Sequence, residues 1–283
     1  WQTWLGTRDA RAQGFGGWTL DVLHAYDPNS KTLYLGNGNR RSAESVGWVI
    51  ETVAGKAEDC GGGTGDGGPA TDACLIDPWD VAVAPDGTLY ISEKGGFGSI
   101  RKVATNGTIS TLQDSNENDL IFSEPRGLAL TRDGDLLVAE YSGGRVSRVH
   151  QELDGSYSTG LVLNNLDFPI DVAVGPDGNI YVAESVGALV HGLRPQGPWL
   201  NWAGHQGVPG DNCSVTYDQQ AASVPLRSME SLAAGPDGSV FIADPLDKHV
   251  HAVGVDGVLR KMAGYGRDVG ILCPQDWQDP DLG

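Results

Sequence analysis

An internal repeat constrains the fold of this chain more than any other feature. Five eight-residue segments align without gaps, and each holds a short apolar run and ends in Asp, at Asp27, Asp86, Asp133, Asp177 and Asp237. In the last four a Gly follows the Asp, and a second apolar run comes directly after the turn, as at residues 89–91. An Asp-Gly pair between two apolar runs is typical of a β-hairpin.

Further apolar runs extend the unit to four strands. Third runs lie at residues 99–103, 145–149 and 249–253, and a second turn such as Asn106-Gly107 leads to a fourth run. The repeated Asp residues are 59, 47, 44 and 60 residues apart, which fits propeller blades of about 40 to 50 residues together with two insertions. We therefore predict an all-β propeller of four-stranded antiparallel blades.

The predicted domain organisation follows from these spacings. A lead-in segment at residues 1–17 precedes a propeller at residues 18–283, with five blades at about 18–57, 78–113, 125–164, 168–204 and 228–264. A further connection begins at Met262-Ala263-Gly264, but no first strand follows it. The sixth blade is therefore predicted to be incomplete or to be closed by the N-terminal segment.

Charge and composition exclude two classes of partner. The 41 Gly and 15 Pro residues favour short strands and many turns over long helices. The net charge of −18 repels nucleic acid and anionic membrane surfaces. No apolar stretch approaches the roughly 18 residues that membrane insertion requires.

The repeat resembles NHL repeats. The pattern Val81-Ala82-Val83 through Asp86-Gly87 to Leu89-Tyr90-Ile91 has the NHL form, and residues 53–70 resemble the linkers between such repeats. Residues 16–43 resemble the start of the NHL propeller in teneurin-like and RHS/YD-repeat proteins. This resemblance implies a six-bladed propeller beside a tyrosine-aspartate repeat shell, within a large secreted or cell-surface protein that serves adhesion or toxin delivery. The chain departs from the family in lacking the Tyr-Asp repeats and the last blade, and in having Glu where three blades usually have Asp.

The four cysteines predict a disulfide framework. Cys60 and Cys74 bracket a Gly-rich loop, and closing it would stabilise the fold by about 3 kcal/mol in the chain-entropy model. A zinc site would need a compact Cys-x-x-Cys pair, which is absent from the sequence. We expect Cys60 to pair with Cys74, and Cys213 with Cys273, because the latter two occupy matching places in adjacent connectors. Free thiols remain the alternative.

Acidic side chains are predicted to gather at one rim. In a meandering blade, first strands begin and second strands end at the same face, so the following polar residues are expected to converge there: Asp21, Asp80, Asp171, Asn37, Glu93, Glu140, Glu184 and Asp244. Carboxylates that crowd together raise one another's pKa or recruit a cation, and oxygen ligands suit Ca²⁺. The alternative is that the second-strand acids are structural caps of turns, because they recur in four blades; for Asp21, Asp80 and Asp171 the two interpretations are balanced. Calcium is the candidate cofactor, and no other is expected.

The connectors hold the candidate partner-binding residues. Tyr217, Trp277 and Asp211 lie among polar residues there, where aromatic groups can anchor a partner. Trp199 and Trp202 are expected to fill blade interfaces instead. His249 and His251 share one strand face and form half of a metal site at most, so a half-exposed pair is the favoured interpretation.

Two functions follow from the sequence, beside the plainer alternative of a structural plug or spacer that binds no ligand. The first is a non-enzymatic module of a larger extracellular or cell-surface protein, which contacts another protein or neighbouring domains through its acidic face and the loops at residues 57–73 and 205–222. The second is a metal-dependent hydrolase or lyase with Asp21 and Asp171 as ligands and one Glu as base.

Overall fold

The computed structural model describes residues 24–27, 32–35, 39–42, 49–56, 64–194, 197–205, 217–246 and 248–264. Within these ranges the chain is all-β, in five antiparallel sheets whose four-stranded meanders follow one another in sequence order. The fold class predicted from the repeat is therefore confirmed. The lead-in segment and the predicted closing blade lie outside the described residues.

Each blade is a meander of four strands. Blade one comprises β1 (His24–Asp27), β2 (Thr32–Leu35), β3 (Asn39–Ser42) and β4 (Val49–Thr52). Blade two comprises β5 (Pro78–Val83), β6 (Leu89–Glu93), β7 (Ser99–Val103) and β8 (Ile109–Thr111). Blade three comprises β9 (Pro125–Leu130), β10 (Leu136–Glu140), β11 (Arg145–Gln151) and β12 (Tyr157–Asn164). Blade four comprises β13 (Pro169–Val174), β14 (Ile180–Glu184), β15 (Val190–Leu193) and β16 (Trp199–Ala203). Blade five comprises β18 (Ser231–Ala234), β19 (Val240–Asp244), β20 (His249–Val253) and β21 (Val258–Gly264), and β17 (Gln219–Gln220) joins its outer edge.

The Asp-Gly dipeptides form the first hairpin turn of each of these blades from the second onward. In blade two Gly87 has φ 95°, which a side chain would strain, and its N–H donates to the Ala84 carbonyl at 2.9 Å. The Asp86 carboxylate accepts the Thr88 N–H at 2.9 Å. The dipeptide is therefore needed for its geometry as well as its polarity.

The core lies between the blades. β6, β10 and β14 are buried along their whole length, because a second strand has neighbouring strands on both sides and other blades against both faces. One buried cluster joins blades four and five, and it includes Tyr181 and Ala183 of β14 and Ile242 of β19. Burial of large apolar side chains between blades stabilises the ring by about 1.5 to 3 kcal/mol for each side chain.

The two cysteine-bearing insertions contribute edge structure to the blades that follow them. Residues Gly67 and Gly68 exchange backbone hydrogen bonds with Ile109 on β8, at 2.9 and 3.1 Å. In the same way β17 pairs with β21, and a short 3-10 helix follows each edge segment, at Ala70–Asp72 and Ala221–Ser223. Parts of the segments expected to be interaction loops therefore cover the exposed edges of fourth strands.

Candidate functional site: the connector face

One end of the propeller holds the starts of the first strands, the ends of the second strands and the connectors between blades, and we call it the connector face. The opposite end holds the Asp-Gly turns, and we call it the turn face. Among the residues that the structure describes, eleven large apolar side chains are exposed, and six of them lie on the connector face: Ile76, Phe97, Ile121, Phe168, Val186 and Leu246. On the turn face there are two, at the tips of turns: Leu153 and Val255. The remaining three lie on the outer strands.

Each acid at the end of a second strand accepts a backbone N–H from the segment just before the first strand of its own blade. The accepted N–H lies 17 residues earlier in all four blades, at 2.7 Å for Glu93 and Ile76, 2.8 Å for Glu140 and Ser123, 2.8 Å for Glu184 and Asp167, and 3.1 Å for Asp244 and Arg227. These carboxylates are buried, so the hydrogen bonds offset part of the cost of removing a charge from water. The structural alternative predicted that these acids cap the turn that begins the next strand; the backbone N–H that they accept comes instead from the segment before the first strand.

A second hydrogen bond runs in the opposite direction in three blades. Asp77, Glu124 and Phe168 have φ of 54°, 51° and 55°, and their carbonyls accept the N–H of the residue that follows the acid, at 3.3, 3.1 and 3.1 Å. We call this reciprocal pair of hydrogen bonds the rim clasp. A positive φ strains a residue other than Gly, and the hydrogen bonds of the clasp maintain this conformation at all three residues. The clasp therefore holds their exposed side chains in place on the connector face.

Polar side chains of the third strands complete the environment of these acids. Glu140 accepts two hydrogen bonds from Arg145, at 2.7 and 2.8 Å, and one from Ser147 at 2.5 Å. Glu184 lies 3.1 Å from His191. Each of these contacts lies within one blade, so the second-strand acids act as structural supports of that blade.

Arg101 is the supporting residue of blade two. It is almost completely buried and donates to the carbonyls of Cys74 and Thr64, at 3.0 and 2.9 Å, and to the Asp66 carboxylate at 2.5 Å. Cys74 is itself buried and disulfide-bonded. Arg101 therefore fastens the connector that carries the disulfide-bonded Cys74 to the blade. The predicted pairing of Cys74 with Cys60 stays a prediction, because Cys60, Cys213 and Cys273 lie outside the described residues.

Asp80 and Asp171 each link two adjacent blades at the start of a first strand. Asp80 accepts the Leu128 N–H of blade three at 2.7 Å, and Asp171 accepts the Leu232 N–H of blade five at 2.6 Å. Burial raises the pKa of Asp80 well above its usual value, and the Asp171 charge raises it further. Burial raises the pKa of Asp171 to about 6. Gly127 of blade three packs directly on Asp171.

The predicted metal ligands are thus brought together only in part. Asp80 and Asp171 are close enough to affect each other's protonation, while the second-strand acids are hydrogen-bonded in separate blades. Among the residues that the structure describes, no three His, Cys, Asp or Glu side chains come together in a group able to hold a metal ion. Asp21 and Asn37 lie outside those residues, so the calcium site stays a prediction.

Tyr217 is half-buried against blade five. Its hydroxyl lies 3.1 Å from Nδ1 of His249 and 3.4 Å from Nδ1 of His251, and its ring packs against the core of blades four and five. The two histidines, for which the sequence favours a half-exposed strand pair, therefore contact a tyrosine, and His251 is fully buried. The other two predicted partner-binding residues, Asp211 and Trp277, lie outside the described residues.

A run of stacked aromatic and cationic side chains crosses the connector face. Lys94 Nζ lies 4.3 Å from the centre of the Trp79 ring, and Arg126 Cζ lies 4.5 Å from Trp79 and 3.3 Å from Tyr141. The Tyr141 ring packs against the Phe168 ring, with 5.0 Å between the ring centres. We call these five residues of blades two to four the aromatic–arginine stack. It was not predicted from the sequence, although Trp79 and Arg126 occupy equivalent positions directly before Asp80 and Gly127 in the aligned repeats.

Solved structures share this architecture at low sequence identity. A gluconolactonase from Xanthomonas campestris superposes with a TM-score of 0.59 and 14% identity, over 85% of this chain and 74% of the other. A chain of a nidogen/laminin complex superposes with a TM-score of 0.57 and 14% identity, over 87% of this chain and 79% of the other. At such identities the likeness defines only the fold, and with the four-stranded meanders it defines the chain as a β-propeller of the NHL type.

The sequence comparisons show a similarity to one family. Residues 20–127 match the family model described as the teneurin NHL domain. Teneurin-m of Drosophila melanogaster is 24% identical over 93% of this chain, and teneurin-3 of Danio rerio is 28% identical over 86%. Residues 20–127 are therefore similar to the teneurin NHL domain, and most of the chain is similar in sequence to teneurins. The chain spans 8% of the length of each of these two relatives.

Proposed function

We propose that this chain is a non-enzymatic propeller module of a larger secreted or cell-surface protein, and that its connector face binds another protein or neighbouring domains of the same polypeptide. The observation that carries the proposal is the position of the exposed apolar side chains. Phe97 is 87% exposed and Phe168 44% exposed, and both belong to the connector face. Exposed apolar side chains that gather on one face are typical of interaction surfaces.

Three further features support this role. Loops on a rigid scaffold are a common place for recognition, and the rim clasp makes this end of the propeller rigid. The disulfide at Cys74 fits an oxidising compartment outside the cell. No helix among the described residues is long and apolar enough to span a membrane.

A matched pair of variants tests the proposal. Phe97→Glu places a charge on the connector face, and Leu153→Glu places the same charge on a fully exposed apolar tip of the turn face. Binding of each variant to the neighbouring domains of the parent polypeptide is measured by biolayer interferometry. We expect Phe97→Glu to weaken binding and Leu153→Glu to leave it unchanged; the reverse pattern contradicts the proposal.

One observation favours the alternative of a metal-dependent hydrolase or lyase. Asp80 and Asp171 are buried carboxyl groups with raised pKa values, a property common at catalytic sites. However, both oxygens of each carboxylate already accept backbone N–H groups, from Val81 and Leu128 for Asp80 and from Val172 and Leu232 for Asp171. Metal analysis of the purified chain, with melting curves in added Ca²⁺, tests this alternative: a stoichiometric metal that raises the melting temperature supports it.

A further inference from the structure

The aromatic–arginine stack holds an arginine that has no acidic partner in the described part of the chain. Arg101, Arg145, Arg148 and Arg260 each pair with a carboxylate there. Arg126 is half-buried, and no described carboxylate oxygen lies within 4 Å of its guanidinium. Its Nε is buried and has no hydrogen-bond partner among the same residues.

The surroundings of Arg126 fix its side chain and leave its guanidinium without a carboxylate partner. Trp79 and Tyr141 contact the guanidinium through their rings, which orients the group, and Tyr141 also interacts with it electrostatically. The carboxylates of Asp77 and Glu124 act on Arg126 only from a distance. A guanidinium held in this way is preorganised for a carboxylate, which it binds through two parallel N–H donors.

An apolar surface adjoins this cation. Phe168 contacts Tyr141 and is partly exposed, and Ile76 lies one residue before Asp77 with 48% of its surface exposed. A ligand that reaches Arg126 is therefore able to cover apolar side chains beside it. Aromatic and arginine side chains in the centre of an interface are the types that contribute most to binding.

From this arrangement we propose that Arg126 and the aromatic–arginine stack bind an acidic peptide segment of a partner protein, with a carboxylate on the Arg126 guanidinium and an adjacent apolar side chain on Phe168. This inference rests on the proposed function and names the chemistry of its partner. The chain has a net charge of −18, so an acidic segment is attracted only where a cation has no carboxylate partner, as at Arg126. A basic segment would leave the arginine unpaired.

Peptide selection tests the proposal directly, because the chain itself chooses the chemistry that it binds. The full chain is screened against a displayed library of random twelve-residue peptides, and the affinities of the selected peptides are measured for the wild type and for Arg126→Met. We expect the selected peptides to combine Asp or Glu with a neighbouring apolar residue, and to lose about tenfold or more in affinity for Arg126→Met. Arg260→Met is the control, because Arg260 lies on the turn-face side and pairs with Asp256 at 2.6 Å.

Two additional measurements keep the test independent of folding. Arg126→Lys retains the charge but not the planar donors, and we expect it also to weaken binding. In the wild type a bound peptide is expected to protect Arg126 from modification by phenylglyoxal. Basic peptides, no selected peptide, or unchanged affinity for both variants with no protection would overturn the proposal.

The outcomes separate this inference from the proposed function. If the Phe97→Glu variant no longer binds the selected peptides but the Arg126→Met variant binds them normally, the result contradicts the acidic partner. The connector face then remains the binding surface. If only the Leu153→Glu variant fails to bind the selected peptides, the result contradicts both the acidic partner and the proposed function.

Discussion

The carboxylate of Asp171 on blade four accepts the backbone N–H of Leu232 on blade five at 2.6 Å. Its other oxygen accepts the Val172 N–H at 2.8 Å. The side chain thus stabilises its own strand and joins it to the next blade. Asp80 makes the equivalent pair of contacts between blades two and three, so a repeated Asp at the start of a first strand acts as an interblade link.

We expect Gly127→Ala to destabilise the propeller. A Cβ at this position would lie 2.5 Å from Cα of Asp171 and would also overlap its Oδ1. Overpacking of this kind costs about 1 to 3 kcal/mol, which corresponds to a fall of several degrees in melting temperature. Gly107→Ala is a poor control because Gly107 has φ 85°; Gly160→Ala, where a Cβ meets nothing within 4 Å, is the better one. Equal melting temperatures for the two variants would contradict this packing.

The raised pKa values of Asp80 and Asp171 predict a dependence of stability on pH. An unfolded Asp has a pKa of about 3.9, and the folded value for Asp171 is about 6. Between these values the folded chain holds a proton that the unfolded chain has released, so this contribution to stability is full below about pH 4 and is lost as the pH rises through 6. Asp171→Asn is expected to flatten the melting temperature profile between pH 4 and 7. If Asp171→Asn leaves the dependence of melting temperature on pH unchanged, the raised pKa of Asp171 is refuted.

Glu140→Gln is expected to destabilise blade three more than Glu124→Gln. Glu140 is buried and accepts hydrogen bonds from Ser123, Arg145 and Ser147, whereas Glu124 is exposed. Arg145 is partly exposed, so the loss comes mainly from the weakened buried hydrogen bonds and is about 1 to 3 kcal/mol, whereas an exposed charge contributes little. Urea denaturation measures both variants, and a Glu140→Gln effect below about 1 kcal/mol would show that the clasp is not a support.

Relief of backbone strain in the rim clasp is expected to stabilise the chain. Glu124 has φ 51°, which Gly adopts without strain, so Glu124→Gly should raise the free energy of unfolding by about 1 kcal/mol. Glu124→Ala keeps the strain while removing the same charge, and it should give no such gain. An equal gain in the free energy of unfolding for Glu124→Ala would show that the effect comes from the lost charge of Glu124.

The sequence predicted the meander because its signals are local. Asp-Gly turns and apolar runs act within a few residues, as at Asp86-Gly87, and their spacing is enough to define a blade. The sequence also placed Asp80 and Asp171 at one rim, where their protonation is coupled.

Contacts between blades could not be predicted from the repeat. Trp79, Arg126 and Tyr141 belong to two blades, and nothing in a repeat period says which side chains of adjacent blades touch. The pairing of Gln219 with Leu259 was missed for another reason, since a two-residue polar strand carries no apolar signal. The rim clasp depends on positive φ angles at Glu124 and Phe168, residue types for which such angles are uncommon.

Covalent footprinting tests the central claim most directly. Hydroxyl-radical labelling of the chain alone is compared with labelling of the same chain within its parent polypeptide. The proposed function predicts protection of Phe97 and Phe168 on the connector face, with Leu153 and Val255 on the turn face labelled equally in both samples. Protection confined to the turn face, or equal labelling everywhere, would contradict a connector face that binds partners.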